Sequence, residues 1–214
     1  MSRTTPTRTA EKYPEPDRAA LDALIDSVLV GHVAFVVDGG PVVIPTAIAR
    51  DGDTLLLHGS TGSKWMRLLA TGVPVSMAIT RLDALVVARS AFESSMVYRS
   101  GVLFGSCSAV EGEEKVTALD LITEALIPGR VAEVRGHRVK ELAATLVLRL
   151  AIDEWTLKVS ESEPEDEADD VAGEAWAGTV PLAAGYGAPI PASDLRAGIP
   201  VPPSVRGLEG HSPV

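Results

Sequence analysis

The stretch that decides the fold is His32-Val33-Ala34-Phe35-Val36-Val37, Asp38-Gly39-Gly40, Val42-Val43-Ile44-Pro45-Thr46-Ala47-Ile48-Ala49, Asp51-Gly52-Asp53 and Thr54-Leu55-Leu56-Leu57-His58. It consists of three apolar runs rich in β-branched residues, separated by two Asp-Gly signals. Such runs favour extended chain. Asp-Gly tolerates the positive φ that tight hairpins demand. The pattern predicts an antiparallel meander rather than a series of βαβ units, which need helix-length crossovers.

Working outward, the period changes on both sides. Upstream, Asp17 is a candidate N-cap, and Leu21, Leu24, Ile25, Val28 and Leu29 recur at helical spacing up to Gly31. Downstream, a short helix is expected over 63–70, then strands over 73–79, 84–89 and 96–110. Val116, Leu119, Leu121, Ile122 and Leu126 predict a helix over 113–126, ending before Pro128-Gly129. A further helix near 139–144 and one closing strand over 146–157 complete the body. Six or seven hairpin-connected strands with a few helices laid against them are a mainly β protein. Closure into a small barrel removes the exposed edges.

Composition divides the chain into three zones. Residues 1–16 are polar with three prolines and are expected to be a flexible N-terminal arm. Residues 17–160 form the folded body. Residues 161–214 hold an acidic run and eight of the fifteen prolines, and predict an extended tail partly docked through the apolar segment 175–182. The formal charge of −10 belongs largely to that tail. Glu161, Glu163, Glu165, Asp166, Glu167, Asp169, Asp170 and Glu174 lie together, and setting them aside leaves 21 acidic against 19 basic residues. No clustered positive charge is present to neutralise a phosphate backbone, which argues against nucleic acid as a partner. One cysteine excludes a disulfide framework and Cys-based zinc sites. No apolar run reaches membrane-spanning length and the first residues lack a signal-peptide core, so the expectation is a soluble, cytoplasmic protein.

Several segments carry chemistry. His58-Gly59-Ser60-Thr61-Gly62-Ser63-Lys64 follows a strand and precedes a helix. Backbone N–H groups, three hydroxyls and the Lys64 charge suit an anion there. The spacing is not that of a Walker A loop, and a polar turn in which Ser63 caps the helix is the simpler alternative. Pro45-Thr46-Ala47 interrupts an apolar strand, as at an edge or bulge whose backbone is left for another partner. In Ser94-Ser95-Met96-Val97-Tyr98-Arg99-Ser100, Tyr98 and Ser100 share one face with Arg99 on the other; a ligand-facing strand and a solvent-facing edge fit equally. His32, His137 and His211 show no metal-ligand spacing, so no metal site is expected. Cys107 reads as a buried thiol, and there is no Gly-x-Ser-x-Gly elbow. No catalytic acid or base stands out, although His58 is a candidate through its titration range.

The order of these segments, continued by Ala88-Arg89-Ser90, Phe104-Gly105, Glu113-Glu114-Lys115, Ile127-Pro128-Gly129-Arg130, Glu141-Leu142-Ala143-Ala144-Thr145 and Trp176-Ala177-Gly178, resembles the pyridoxamine 5′-phosphate oxidase-related, flavin-binding split-barrel family. It is most similar to the branch of nitroimidazole-resistance proteins, over roughly residues 17–200. The resemblance implies a six-stranded antiparallel split β-barrel of the FMN-binding type with flanking helices. It also implies a homodimer with FMN at the interface; deazaflavin or haem occupies some related barrels. Under it, Ile44, Pro45, Thr46 and Ala47 border the flavin ring with backbone groups. His58, Gly59, Ser60, Thr61, Gly62, Ser63 and Lys64 hold the phosphate, Arg99 and Ser100 reach the flavin across the dimer, and Trp65 and Tyr98 neighbour the ring. Two departures matter. The Arg-x-His element of the true oxidases is missing near the C-terminus, which argues against pyridoxamine phosphate oxidation. Ser63-Lys64 stands where those oxidases have two basic residues, with Arg67 available to assist. The expectation is an FMN-dependent oxidoreductase acting on a small molecule, the alternative a flavin-binding module without turnover.

Overall fold

The computed structural model describes residues 17–161 and 163–212; the expected N-terminal arm lies outside them. Helix α1 (Arg18–Asp26) begins at Asp17, whose carboxylate accepts the Ala19 N–H at 3.0 Å. The predicted meander follows as β1 (Val30–Val37), β2 (Gly40–Asp51) and β3 (Thr54–Ser60). Its turns place Asp38, Gly39 and Gly52 at positive φ, as the Asp-Gly signals require. Next come α2 (Lys64–Leu69), β4 (Pro74–Val87), β5 (Ser95–Val110), α3 (Gly112–Leu126), a 3-10 turn (Val131–Glu133), α4 (Val139–Ala144), β6 (Thr145–Ala151) and β7 (Glu154–Ser160). The tail contributes α5 (Ala168–Val171), β8 (Gly178–Pro181) and α6 (Pro203–Arg206).

Six strands close into an antiparallel ring in the order β1-β2-β3-β6-β5-β4 and back to β1. This is the expected split barrel with flanking helices. β7 attaches outside the ring to β5, and β8 to β4. The ring closes because its long strands exchange partners. β2 bonds β1 through residues 40–47 and β3 through residues 48–51. β5 bonds β4 over 95–106, while its other edge bonds β7 over 98–104 and then β6 over 107–110.

Two strand boundaries differ from expectation. The strands expected at 73–79 and 84–89 are one strand, β4. Its polar segment Thr80-Arg81-Leu82-Asp83 reads as a turn, yet Asp83 is a bulge whose carboxylate takes Arg81 at 2.7 Å and Arg99 at 3.3 Å. Conversely, the single strand expected at 146–157 is two, β6 and β7, joined at Ile152-Asp153. Ile152 is buried and its N–H donates to the Asp53 carbonyl at 2.9 Å, so an apolar residue hides this turn.

The barrel interior is filled by Val33, Leu55, Leu57, Met77, Ile79, Leu103, Leu148 and Leu150. It is plugged by Leu21, Leu24 and Ile25 of α1 and by Met66 and Leu69 of α2. A Cβ on Gly101 would lie 2.8 Å from Leu21 Cδ1, so the bare backbone of β5 lets α1 seat closely. Outside the ring, Ala118, Leu119 and Ile122 of α3 cover Ala49, Leu56, Val110 and Val147. The acidic tail is less solvated than its composition implies. The Asp166 side chain is 0% exposed and accepts the Arg89 backbone N–H at 2.7 Å and its guanidinium at 2.8 Å. Farther on, β8 pairs with β4, and Ser204 is buried where its N–H and hydroxyl both donate to the Glu133 carboxylate. Among the described residues, no helix is long and apolar enough to cross a membrane.

If α1 is the barrel plug, Leu21→Ala should lower the unfolding free energy by about 2–5 kcal/mol, the range for emptying a packed leucine site. Urea denaturation measures it, and a loss well under about 1 kcal/mol contradicts the plug.

Candidate functional site

The partner exchange of β2 opens a wedge in the barrel wall. Pairing between β2 and β3 stops at Ile48 and Leu57. From there Ile44, Pro45, Thr46 and Ala47 stay with β1, opposite Val33, His32, Gly31 and Val30. His58, Gly59 and Ser60 stay with β6, opposite Val147, Leu146 and Thr145. The two strand edges that face each other across the wedge are not paired to one another, and such edges seek hydrogen-bonding partners. Pro45, with no N–H to satisfy, fits this edge.

The turn after β3 sits beside the wedge. A Cβ on Gly59 would meet Met66 Cγ at 3.0 Å, so α2 packs directly on the strand end. The turn is held by its own groups. Thr61 donates its N–H and hydroxyl to the Ala144 carbonyl at 2.9 and 3.2 Å. The Gly62 N–H donates to the Ser60 hydroxyl at 3.1 Å, and the Ser63 N–H to the Ser60 carbonyl at 2.9 Å. Arg67 donates to the Thr61 carbonyl at 3.2 Å. The N–H groups of 61–63 are therefore engaged within the protein and do not form the cradle that the sequence predicts. What remains for an anion is the Lys64 ammonium, exposed and without a carboxylate partner among the described residues, and the Ser63 hydroxyl, which makes no capping bond.

His58 is half-buried, and its Nδ1 is shielded from solvent with no hydrogen-bond partner among the described residues. Burial holds its pKa below the ordinary 6.5. It brings a neutral ring to the end of β3, not a cation for a phosphate. Its side chain lies on the outer face, opposite Val147 and on the same side as Leu56.

The remaining predicted residues divide. Tyr98 and Ser100 do share the outer face of β5, on the opposite side from Arg99. They lie three strand spacings from β2 through β4 and β1, roughly 14 Å along the sheet, so one copy of the chain does not bring them to the wedge. Arg99 is held by Glu161 at 2.7 Å and Asp83 at 3.3 Å. Trp65 packs against the barrel core with Leu68. The sequence pattern gave no weight to two neighbours. The Lys158 ammonium lies 5.1 Å over the Tyr98 ring, a contact hidden while β6 and β7 read as one strand. His32 is exposed opposite Pro45, at the wedge. Around it the outer sheet face carries exposed apolar residues, with Val36 at 62% and Val43 at 60%.

Other chemistries find little support. The Cys107 thiol is buried in the barrel and its pKa is pushed up to about 11 by that burial, so it is no nucleophile at neutral pH. Among the described residues, no cluster of three His, Cys, Asp or Glu side chains could hold a metal ion.

Comparison with known proteins gives a consistent picture. The profile of the family described as pyridoxamine 5′-phosphate oxidase matches residues 17–159. The chain is 51% identical to the FAD and haem binding protein of Mycobacterium smegmatis, over 92% of this chain and 97% of that one, with a TM-score of 0.88. It is 29% identical to a flavocytochrome of Azotobacter vinelandii, over 99% and 98% of the two chains, with a TM-score of 0.87. A protein of Bacteroides thetaiotaomicron assigned to 5-nitroimidazole antibiotic resistance is 21% identical over 67% of this chain and 84% of its own, with a TM-score of 0.57, a likeness of fold. No functionally curated protein matches the chain.

The state of His58 has a measurable consequence. Folding lowers its proton affinity, so the unfolded chain binds the proton more readily. The associated stability is complete above the ordinary value of 6.5 and falls as pH drops below it towards the folded pKa. Urea titrations between pH 7 and 5 should show a decline that is smaller in His58→Gln; equal declines contradict the buried neutral ring.

Proposed function

The chain belongs to the pyridoxamine 5′-phosphate oxidase family, and from that premise we propose that it binds a flavin in the wedge between β2 and β3 and acts as a flavin-dependent oxidoreductase on a small molecule. The wedge itself carries the reading. Two unpaired strand edges offer backbone groups to a flat heterocycle rich in donors and acceptors, and Lys64 beside them, without a carboxylate partner among the described residues, supplies charge for its phosphate. A bound flavin supplies exchange of one or two electrons, and the protein supplies binding, orientation and electrostatics. FAD is favoured over the FMN expected from the resemblance, and over deazaflavin, because the relative at 51% identity is an FAD binding protein. Haem is the second group in this reading, since that relative binds both and a second relative matched over its full length is a flavocytochrome.

The working unit in this proposal is a homodimer. The exposed apolar outer face around Val36 and Val43 is the surface that a second copy would cover. That copy's Tyr98 and Ser100 are then the ones able to reach the wedge, since those of the same chain are too far along the sheet. The single buried thiol accords with a reducing cytoplasm.

Purified protein should be yellow, and mass spectrometry of the released ligand should give FAD; a colourless protein that takes up neither FAD, FMN nor deazaflavin contradicts the proposal. Flavin that is bound but not reduced by a nicotinamide would leave a binding module. Lys64→Ala should weaken flavin binding about tenfold to a hundredfold, as loss of one charge-assisted bond does, and unchanged affinity in fluorescence titration removes Lys64 from the site. Val43→Asp should convert the dimer to a monomer in light scattering and release the flavin. A dimer that persists contradicts the interface.

A further inference from the structure

We infer that the start of α4, Arg138-Val139-Lys140, holds the adenylate half of FAD, the half that FMN lacks. The inference rests on the flavin reading proposed above and assigns the residues of this chain that tell the two flavins apart. FAD is FMN extended by a second phosphate, a ribose and an adenine. Lys64 offers charge to the phosphate that both flavins share. The second phosphate needs a further cation and the adenine a surface to lie on, both within reach of Lys64.

The position of α4 meets the requirement of reach. Its last residue, Ala144, accepts the Thr61 N–H and hydroxyl through its carbonyl at 2.9 and 3.2 Å, and Thr145 then pairs with Ser60. The C-terminal end of α4 is thus fastened to the turn that leads to Lys64. Arg138 precedes Ala144 by six residues, about 9 Å along a helix axis. An extended FAD whose shared phosphate sits at Lys64 covers such a span.

The charge is available as well. Residues 130–140 carry Arg130, Arg135, Arg138 and Lys140, too few for a nucleic-acid backbone but enough for a diphosphate. The carboxylates around them are already engaged. Glu141 accepts the Arg135 guanidinium at 2.6 and 2.9 Å and the Arg138 backbone N–H at 2.9 Å. Glu133 accepts Arg130 at 3.4 Å together with the N–H and hydroxyl of Ser204. Asp120 lies 3.0 Å from His137 Nε2. The Arg138 guanidinium and the Lys140 ammonium are left exposed, and neither makes a salt bridge among the described residues. Between them Val139 is 85% exposed. An exposed valine alone says little. Set between two surplus cations, it completes a surface that matches an adenylate: charge for the phosphate, an apolar patch for the purine, and a guanidinium plane able to stack on the ring.

The test measures FAD and FMN affinity by calorimetry on the flavin-stripped full chain, on the double variant Arg138→Ala, Lys140→Ala, and on Lys64→Ala. Wild type should bind FAD more tightly than FMN. The double variant should lose FAD affinity about tenfold or more, the range for charge-assisted bonds. It should keep its FMN affinity, which also shows that it folds. Lys64→Ala should weaken both flavins alike. Unchanged FAD affinity in the double variant overturns the assignment. So does an equal loss of FMN affinity in that variant, or wild-type protein that binds FMN as tightly as FAD; both outcomes leave the flavin proposal standing. Wild-type protein that binds neither flavin overturns the flavin proposal itself, and this assignment with it.

Discussion

The structure depends on one constraint: a six-stranded ring closes only if its long strands change partners along their length. β2 cannot bond β1 and β3 at the same residues, and the change falls between Ala47 and Ile48. β5 makes the corresponding change between β7 and β6 at residues 104–107. There Gly105 removes a Cβ that would sit 3.0 Å from Leu150 Cδ1. At β5 the exchange is filled by another strand. At β2 it is not, and the open edges are the wedge. The candidate site is thus a by-product of barrel closure, with Pro45 placed where a missing N–H costs nothing.

The chain's chemistry follows from what surrounds that opening. On one side, α2 is drawn in by Met66 on Gly59 and begins beside the wedge with Lys64, exposed and without a carboxylate partner among the described residues. On the other, β1 and β2 spread an outer sheet face that exposes Val36 and Val43. His58 stands at the border between this open face and the part covered by α3, half-shielded and neutral. Exposed apolar surface, a lone cation and an unsatisfied imidazole are each costly or idle in an isolated copy. In the proposed dimer a second copy would cover the surface, and the phosphate of a bound flavin would meet the cation.

Local pattern made much of this legible. Asp-Gly turns and β-branched runs gave the meander, Asp17 the first helix, and Pro45 the free strand edge. What stayed hidden depends on contacts far apart in sequence. Asp83 looks like turn chemistry until Arg81 and Arg99 are seen to hold it in a bulge. Ile152 turns the chain without glycine because the Asp53 carbonyl, far off in sequence, accepts its N–H. Asp166 looked like one more solvated carboxylate until Arg89 enclosed it. In the site, composition showed the donors of residues 58–64 but not that Ser60 and Ala144 already occupy three of the N–H groups. Nor could it show that Arg99 is turned towards carboxylates, or that His58 is desolvated.

The central claim is that the opening between β2 and β3 is a redox-cofactor site shared between two copies. Hydrogen–deuterium exchange with and without added FAD tests it most directly, because strand edges without partners exchange fast until something bonds them. The account predicts that FAD slows exchange at residues 44–47 and 58–60 and, through the second copy, at 98–100. Protection confined to other segments, with the wedge exchanging as fast as before, would contradict it.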